Sequence, residues 1–118
     1  GVFMTGGNQL RLSTTLGGTE IARTIRRRNA VGMHVAGTSA GAAFLPEHMI
    51  AGGYEGTTPR PDMVTLAPGL GLTNHVIVDQ HFVARQRQNR LISVVLEHPA
   101  KTATAMSTTI VRRVVPDM

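Results

Sequence analysis

Three short apolar runs, each breaking off into small or polar residues, constrain the fold of this 118-residue chain more than any other feature. "VFMT" (Val2 to Thr5) stops at Gly6 and Gly7, "VGMHVAG" (Val31 to Gly37) turns into "SAGAAF", and "HVIVDQHF" (His75 to Phe82) ends in polar residues. Runs of this length bounded by turn residues are expected to be buried parallel strands that end in loops. Helical patterns lie between them. In "LGGTEIARTIRRRNAVG" Thr19 is the expected N-cap, Glu20 suits the first turn, and the arginines gather where the helix dipole favours cations. Arg26 to Arg28 therefore read as a solvated helix end. "VARQRQNRLISVVLEHP" is expected to be a second helix, apolar at Leu91, Val94 and Val95 and closed by Pro99. Between Gly52 and Pro68 the glycine, threonine and proline content predicts a long surface loop. Alternating strands and helices predict an α/β fold, a parallel sheet with flanking helices. Ligands in such sheets bind at the carboxyl ends of the strands.

Composition limits what the fold can hold. Apolar residues make up 42% and aromatics only 3%, so the expected core is aliphatic. Without cysteine there is no disulfide framework, thiol nucleophile or zinc–thiolate site. No apolar run is long enough to span a bilayer, and "GVFMTGG" lacks the pattern of a signal peptide and reads like the middle of a protein. The formal charge of +5 raises nucleic-acid binding. Its distribution argues against that partner: Arg23 and Arg26 to Arg28 close one helix, Arg85, Arg87 and Arg90 open another, and no aromatic residues alternate with either set to stack bases.

The chemistry-bearing residues stand at the three strand ends. Gly6, Gly7, Asn8 and Gln9 follow the first, Ser39 and Ala40 the second, and Asp79, Gln80 and His81 the third. "GTSAG" (Gly37 to Gly41) spells G-x-S-x-G in the strand–turn–helix context that the motif requires, although a plain small-residue turn has the same spelling. A serine hydroxyl needs a base to take its proton as it attacks, and His81 is the best placed. The oxyanion would need fixed donors, for which the N–H groups of Ala40 and Gly7 are candidates. His34, inside an apolar run, reads as structural, and His48, His75 and His98 as surface or packing residues. No two histidines or carboxylates share helical ligand spacing, and no phosphate loop is present, so neither metal nor cofactor is expected.

With these residues in view, the chain resembles the cyanophycinase branch of peptidase family S51, over residues 1 to about 99. "TGGNQLRL", "GTSAGA", "GLGL" and above all "VDQHFVARQRQNRL" carry the resemblance. It implies a serine hydrolase with a class I glutamine amidotransferase-like (flavodoxin-like) fold, Ser39 as nucleophile and His81 as general base. It also implies Gln9, Asp79, Gln80, Arg85, Arg87 and Arg90 as the lining of a substrate site. The implied substrate is cyanophycin, a polyaspartate bearing arginine on each side-chain carboxyl, with β-aspartyl-arginine dipeptides released from its end. Guanidinium forks suit the free carboxylates of such a substrate, and Asp79 is a candidate acceptor for its arginines. The aspartyl dipeptidases of the family share the serine turn, but they are not expected to show the arginine series after the histidine. The expected compartment is the cytoplasm, and a homodimer stays open.

The pattern departs from the family at two places. The family's third catalytic residue is a glutamate ending a further strand, whereas no carboxylate lies between Glu97 and Asp117 here. Glu97 is a poor substitute. The family also has strands before the one that "VFMT" resembles. The expectation is an incomplete domain over residues 1–99 followed by a divergent tail, 100–118, from a fragment or a frame slip. Such a chain has a rival reading, an inactive remnant that binds acidic polymers or a partner through its arginines.

Overall fold

A computed structural model describes residues 1–53, 62–82, 84–105 and 109–110. Among them the chain is α/β with two parallel strand pairs. β1 (Val2–Met4) runs parallel to β2 (Val35–Thr38), with Phe3 opposite Ala36, and β2 also pairs antiparallel with β7 (Thr109–Ile110). β5 (Val76–Asp79) runs parallel to β6 (Thr102–Ala105), which lies beyond Pro99. Parallel strands need crossovers, and the first is supplied by α1 (Gln9–Leu16) and α2 (Glu20–Ala30).

Local signals explain these elements. Thr19 caps α2 by accepting from the Ala22 N–H, with Glu20 in the first turn and Arg27 and Arg28 in the last. Arg27 and Arg28 are exposed, as a solvated helix end requires. Arg26 departs from that reading: half-buried, it donates from Nη1 to the Leu70 carbonyl, 3.1 Å. α1 has its own signal in Asn8, whose side chain accepts from the Arg11 N–H at 2.9 Å. The first of the apolar runs forms its strand as expected, but the second begins late. The N–H groups of Val31, Gly32 and Met33 bond back to the Arg28 and Asn29 carbonyls, so these residues finish α2 instead of opening β2. His34 accordingly precedes the strand and is exposed, so it is not the buried strand residue expected.

Part of the expected surface loop is a hairpin. β3 (His48–Gly53) and β4 (Val64–Pro68) pair antiparallel, with an irregularity between Ile50 and Gly52, and residues 54–61 lie outside the described residues. The helix after the third run also starts later than its composition suggests, as α4 (Gln88–Glu97). Before it the backbone is a tight turn: Gln86 has φ 49, and the N–H groups of Arg85 and Arg87 bond to the carbonyls of His81 and Phe82.

Two aliphatic clusters hold these pieces together. Val35, Met4, Ala22, Ile25, Phe44, Met49 and Leu70 pack beneath the first strand pair, and Ile50, Ile77, Leu91 and Val94 beneath the second. Met49 and Ile50 are adjacent on β3 and belong one to each cluster, so the hairpin ties the two together. Both pairs thereby hold their carboxyl ends in one region, where β2 delivers Ser39 and β5 delivers Gln80 and His81.

Candidate active site

The serine turn is built by close packing. α3 (Ala40–Ala43) is a short turn of helix whose small residues are all buried. A Cβ on Gly37 would overlap the Gly41 carbonyl, and one on Gly41 would overlap the carbonyls of Met4 and Thr5. Only glycine at both flanks lets the turn press against the end of β1. Between them Ser39 takes φ 53 and ψ −123, a combination that non-glycine residues rarely adopt. This strain lifts the side chain out of the turn toward the end of β5.

There it meets His81. Ser39 Oγ lies 2.8 Å from His81 Nε2 and 3.1 Å from Gln80 Oε1. A hydroxyl has one proton, so it can donate to only one of these at a time. Donation to Nε2 aligns the imidazole to take the proton, and rotation of the amide would let Gln80 present its NH2 to the lone pairs of Oγ. His81 itself has φ 52.

A cavity of about 330 Å³ opens over this pair, lined by Gly7, Gln9, Gly52, Gly53 and Arg85 as well as by Ser39 and His81. Gly7 borders it at φ 129, and Ala40 opens α3, where the first N–H groups have no intrahelical acceptor. Gln9 donates from Nε2 to the Ile50 carbonyl at 2.8 Å and thereby braces the β3 wall of the cavity. Arg85 is exposed and has no carboxylate partner among the described residues.

Asp79, Arg87 and Arg90 are arranged differently from the expectation. Asp79 is 1% exposed, and it accepts from Arg90 Nε at Oδ2, 2.7 Å, and from Arg90 Nη2 at Oδ1, 2.5 Å. Arg87 Nη1 donates to the Gln80 carbonyl at 2.7 Å and stands 3.7 Å from Asp79 Oδ1. Both arginines border the cavity but are buried and turn donors inward. Asp79 thus has both oxygens engaged and does not offer a free carboxylate to a substrate guanidinium. The cause is simple: burial of a carboxylate requires a partner, and Arg90 in the first turn of α4 supplies it.

Glu97 is not near His81. At the exposed end of α4 its Oε1 accepts from the Asp62 N–H, 2.9 Å, and from Ser93 Oγ, 3.5 Å. Among the described residues no carboxylate meets the imidazole of His81. The role of Gly52 and Gly53 as a cavity wall was hidden in the sequence, because their stretch reads as loop; the short apolar run "MIA" just before them was the available signal.

The sequence that builds this site has relatives among known proteins. The family model of peptidase family S51 matches residues 1–110. The chain is 55% identical over 100 residues to a cyanophycinase of Trichormus variabilis, covering 84% of this chain and 34% of the relative. It is 48% identical over 101 residues to a cyanophycinase of Geminocystis herdmanii, 85% and 37% of the two chains, and 48% identical over 102 residues to one of Synechococcus elongatus, 86% and 32%. The chain belongs to peptidase family S51. It spans about a third of the length of the curated relatives it matches.

Proposed function

We propose that the chain carries the nucleophile and base of a serine peptidase that hydrolyses cyanophycin to β-aspartyl-arginine dipeptides, within a class I glutamine amidotransferase-like domain. The observation that carries this reading is the 2.8 Å contact between Ser39 Oγ and His81 Nε2 on a strained turn. Ser39 attacks the scissile carbonyl carbon while its proton passes to His81 Nε2. The tetrahedral oxyanion is held by N–H groups at Gly7 and Ala40, and His81 returns the proton to the leaving amine. Water repeats the sequence on the acyl-enzyme. Arg85, exposed at the cavity and without a carboxylate partner among the described residues, suits the substrate's free carboxylates, with Gln9 and Gln80 as neutral contacts. The relatives named cyanophycinase support the substrate class.

The test is release of β-aspartyl-arginine from cyanophycin by the chain and by Ser39→Ala, with circular dichroism confirming that both are folded. Loss of about three to six orders of magnitude in the variant is expected. Equal release by the two ends the reading.

A second reading, a non-catalytic relative that binds acidic polymers, is favoured by one observation: no described carboxylate orients His81. It predicts polyanion binding that weakens steeply with salt, without labelling of Ser39 by a fluorophosphonate.

A further inference from the structure

His81 meets Ser39 with its backbone at φ 52, a sparsely populated conformation that persists where the surroundings hold it. The support lies on the residue before it. Both polar groups of the Gln80 backbone are gripped by buried charge: its N–H donates to Asp79 Oδ1 at 3.0 Å, and its carbonyl accepts from Arg87 Nη1 at 2.7 Å. Asp79 is locked in turn by the two-point contact from Arg90 on the first turn of α4. On the far side, the His81 carbonyl accepts from the Arg85 N–H at 3.0 Å.

We propose that Asp79, Arg87 and Arg90 are positioning residues: a buried ionic clamp that fixes the Gln80 peptide and so aims His81 at Ser39, in place of contacts to substrate. The inference rests on the serine-peptidase reading for its catalytic meaning, but its geometric content stands apart from it. A network of ionised groups suits the task because each partner is costly to leave unpaired, so the turn has one low-energy arrangement. The clamp also acts on a histidine that meets no carboxylate among the described residues.

The experiment uses Asp79→Asn, which keeps the shape, and the double variant Asp79→Leu with Arg90→Met, in which the two-point ion pair is replaced by apolar side chains. Two readouts are taken on each folded chain. One is the rate of Ser39 labelling by a fluorophosphonate. The other is the displacement of the His81 ring NMR signals caused by adding Ser39→Ala, which reports whether the imidazole sits against the hydroxyl and needs no reactivity. Labelling is expected to fall about 10²-fold in both variants, the loss typical of a misplaced catalytic group, and Ser39→Ala is expected to stop moving the His81 signals. Parental labelling in either folded variant would overturn the proposal, as would an undiminished response of His81 to Ser39→Ala. If the parent chain does not label but its His81 responds to Ser39→Ala and the variants' does not, the peptidase reading fails and the clamp stands.

Discussion

Ser39 and His81, 42 positions apart, approach to 2.8 Å with the same backbone irregularity, φ 53 in one and φ 52 in the other. Each is the first residue or two beyond a parallel strand, where the chain must reverse direction into a helix or turn. The pairing of the two strand ends therefore costs strain at both, and that strain is open to measurement.

Substituting Ser39 by glycine is expected to stabilise the fold relative to Ser39→Ala, reversing the usual order. Strain at such a conformation is about 1–3 kcal/mol and glycine removes it. Thermal unfolding of the two variants checks this; alanine as the more stable one would show that the turn is unstrained.

At Gly41 the addition of one methyl group is expected to cost about 1–3 kcal/mol, because the new carbon meets the carbonyls of Met4 and Thr5 and neither is a flexible side-chain end. Urea unfolding of Gly41→Ala measures it. A loss below about 0.5 kcal/mol, the range of ordinary surface changes, would mean that β1 does not pack against the serine turn.

Arg85→Ala is expected to raise KM for a carboxylate-bearing substrate by about tenfold to hundredfold, the equivalent of about 1.5–3 kcal/mol for a hydrogen bond to a charged group, with little change in unfolding temperature. An unchanged KM would remove Arg85 from the substrate site.

Glu97→Ala is expected to leave fluorophosphonate labelling of Ser39 within about twofold of the parent. Removal of an orienting acid costs on the order of 10⁴ in turnover, so a large loss would make Glu97 that acid despite its contacts with Asp62 and Ser93.

Thr19→Ala is expected to destabilise the chain by about 1 kcal/mol through loss of the bond to the Ala22 N–H. Unfolding in denaturant checks it, and no loss would mean that α2 does not depend on its cap.

Much of this architecture is written locally. The length and boundaries of the apolar runs, the Thr19 cap and the glycines around Ser39 are short-range signals, so the α/β class and the serine turn could be read from neighbouring residues alone. The likeness of "VDQHFVARQRQNRL" to its family singled out His81 for the same reason, a compact run of residue types. What could not be read locally is which polar group each charge would find. Asp79 and Arg90, 11 positions apart, look like two ligands for a substrate, yet folding brings them together in a buried pair. Likewise, the Gly52 to Pro68 stretch reads as loop because of its glycine, threonine and proline content, although His48–Gly53 and Val64–Pro68 pair as a hairpin once each provides the other's hydrogen-bond partners. Sequence patterns report how a segment meets water and its own backbone. The partner of a buried charge or an unpaired strand edge comes from a distant part of the chain, and only the folded arrangement assigns it.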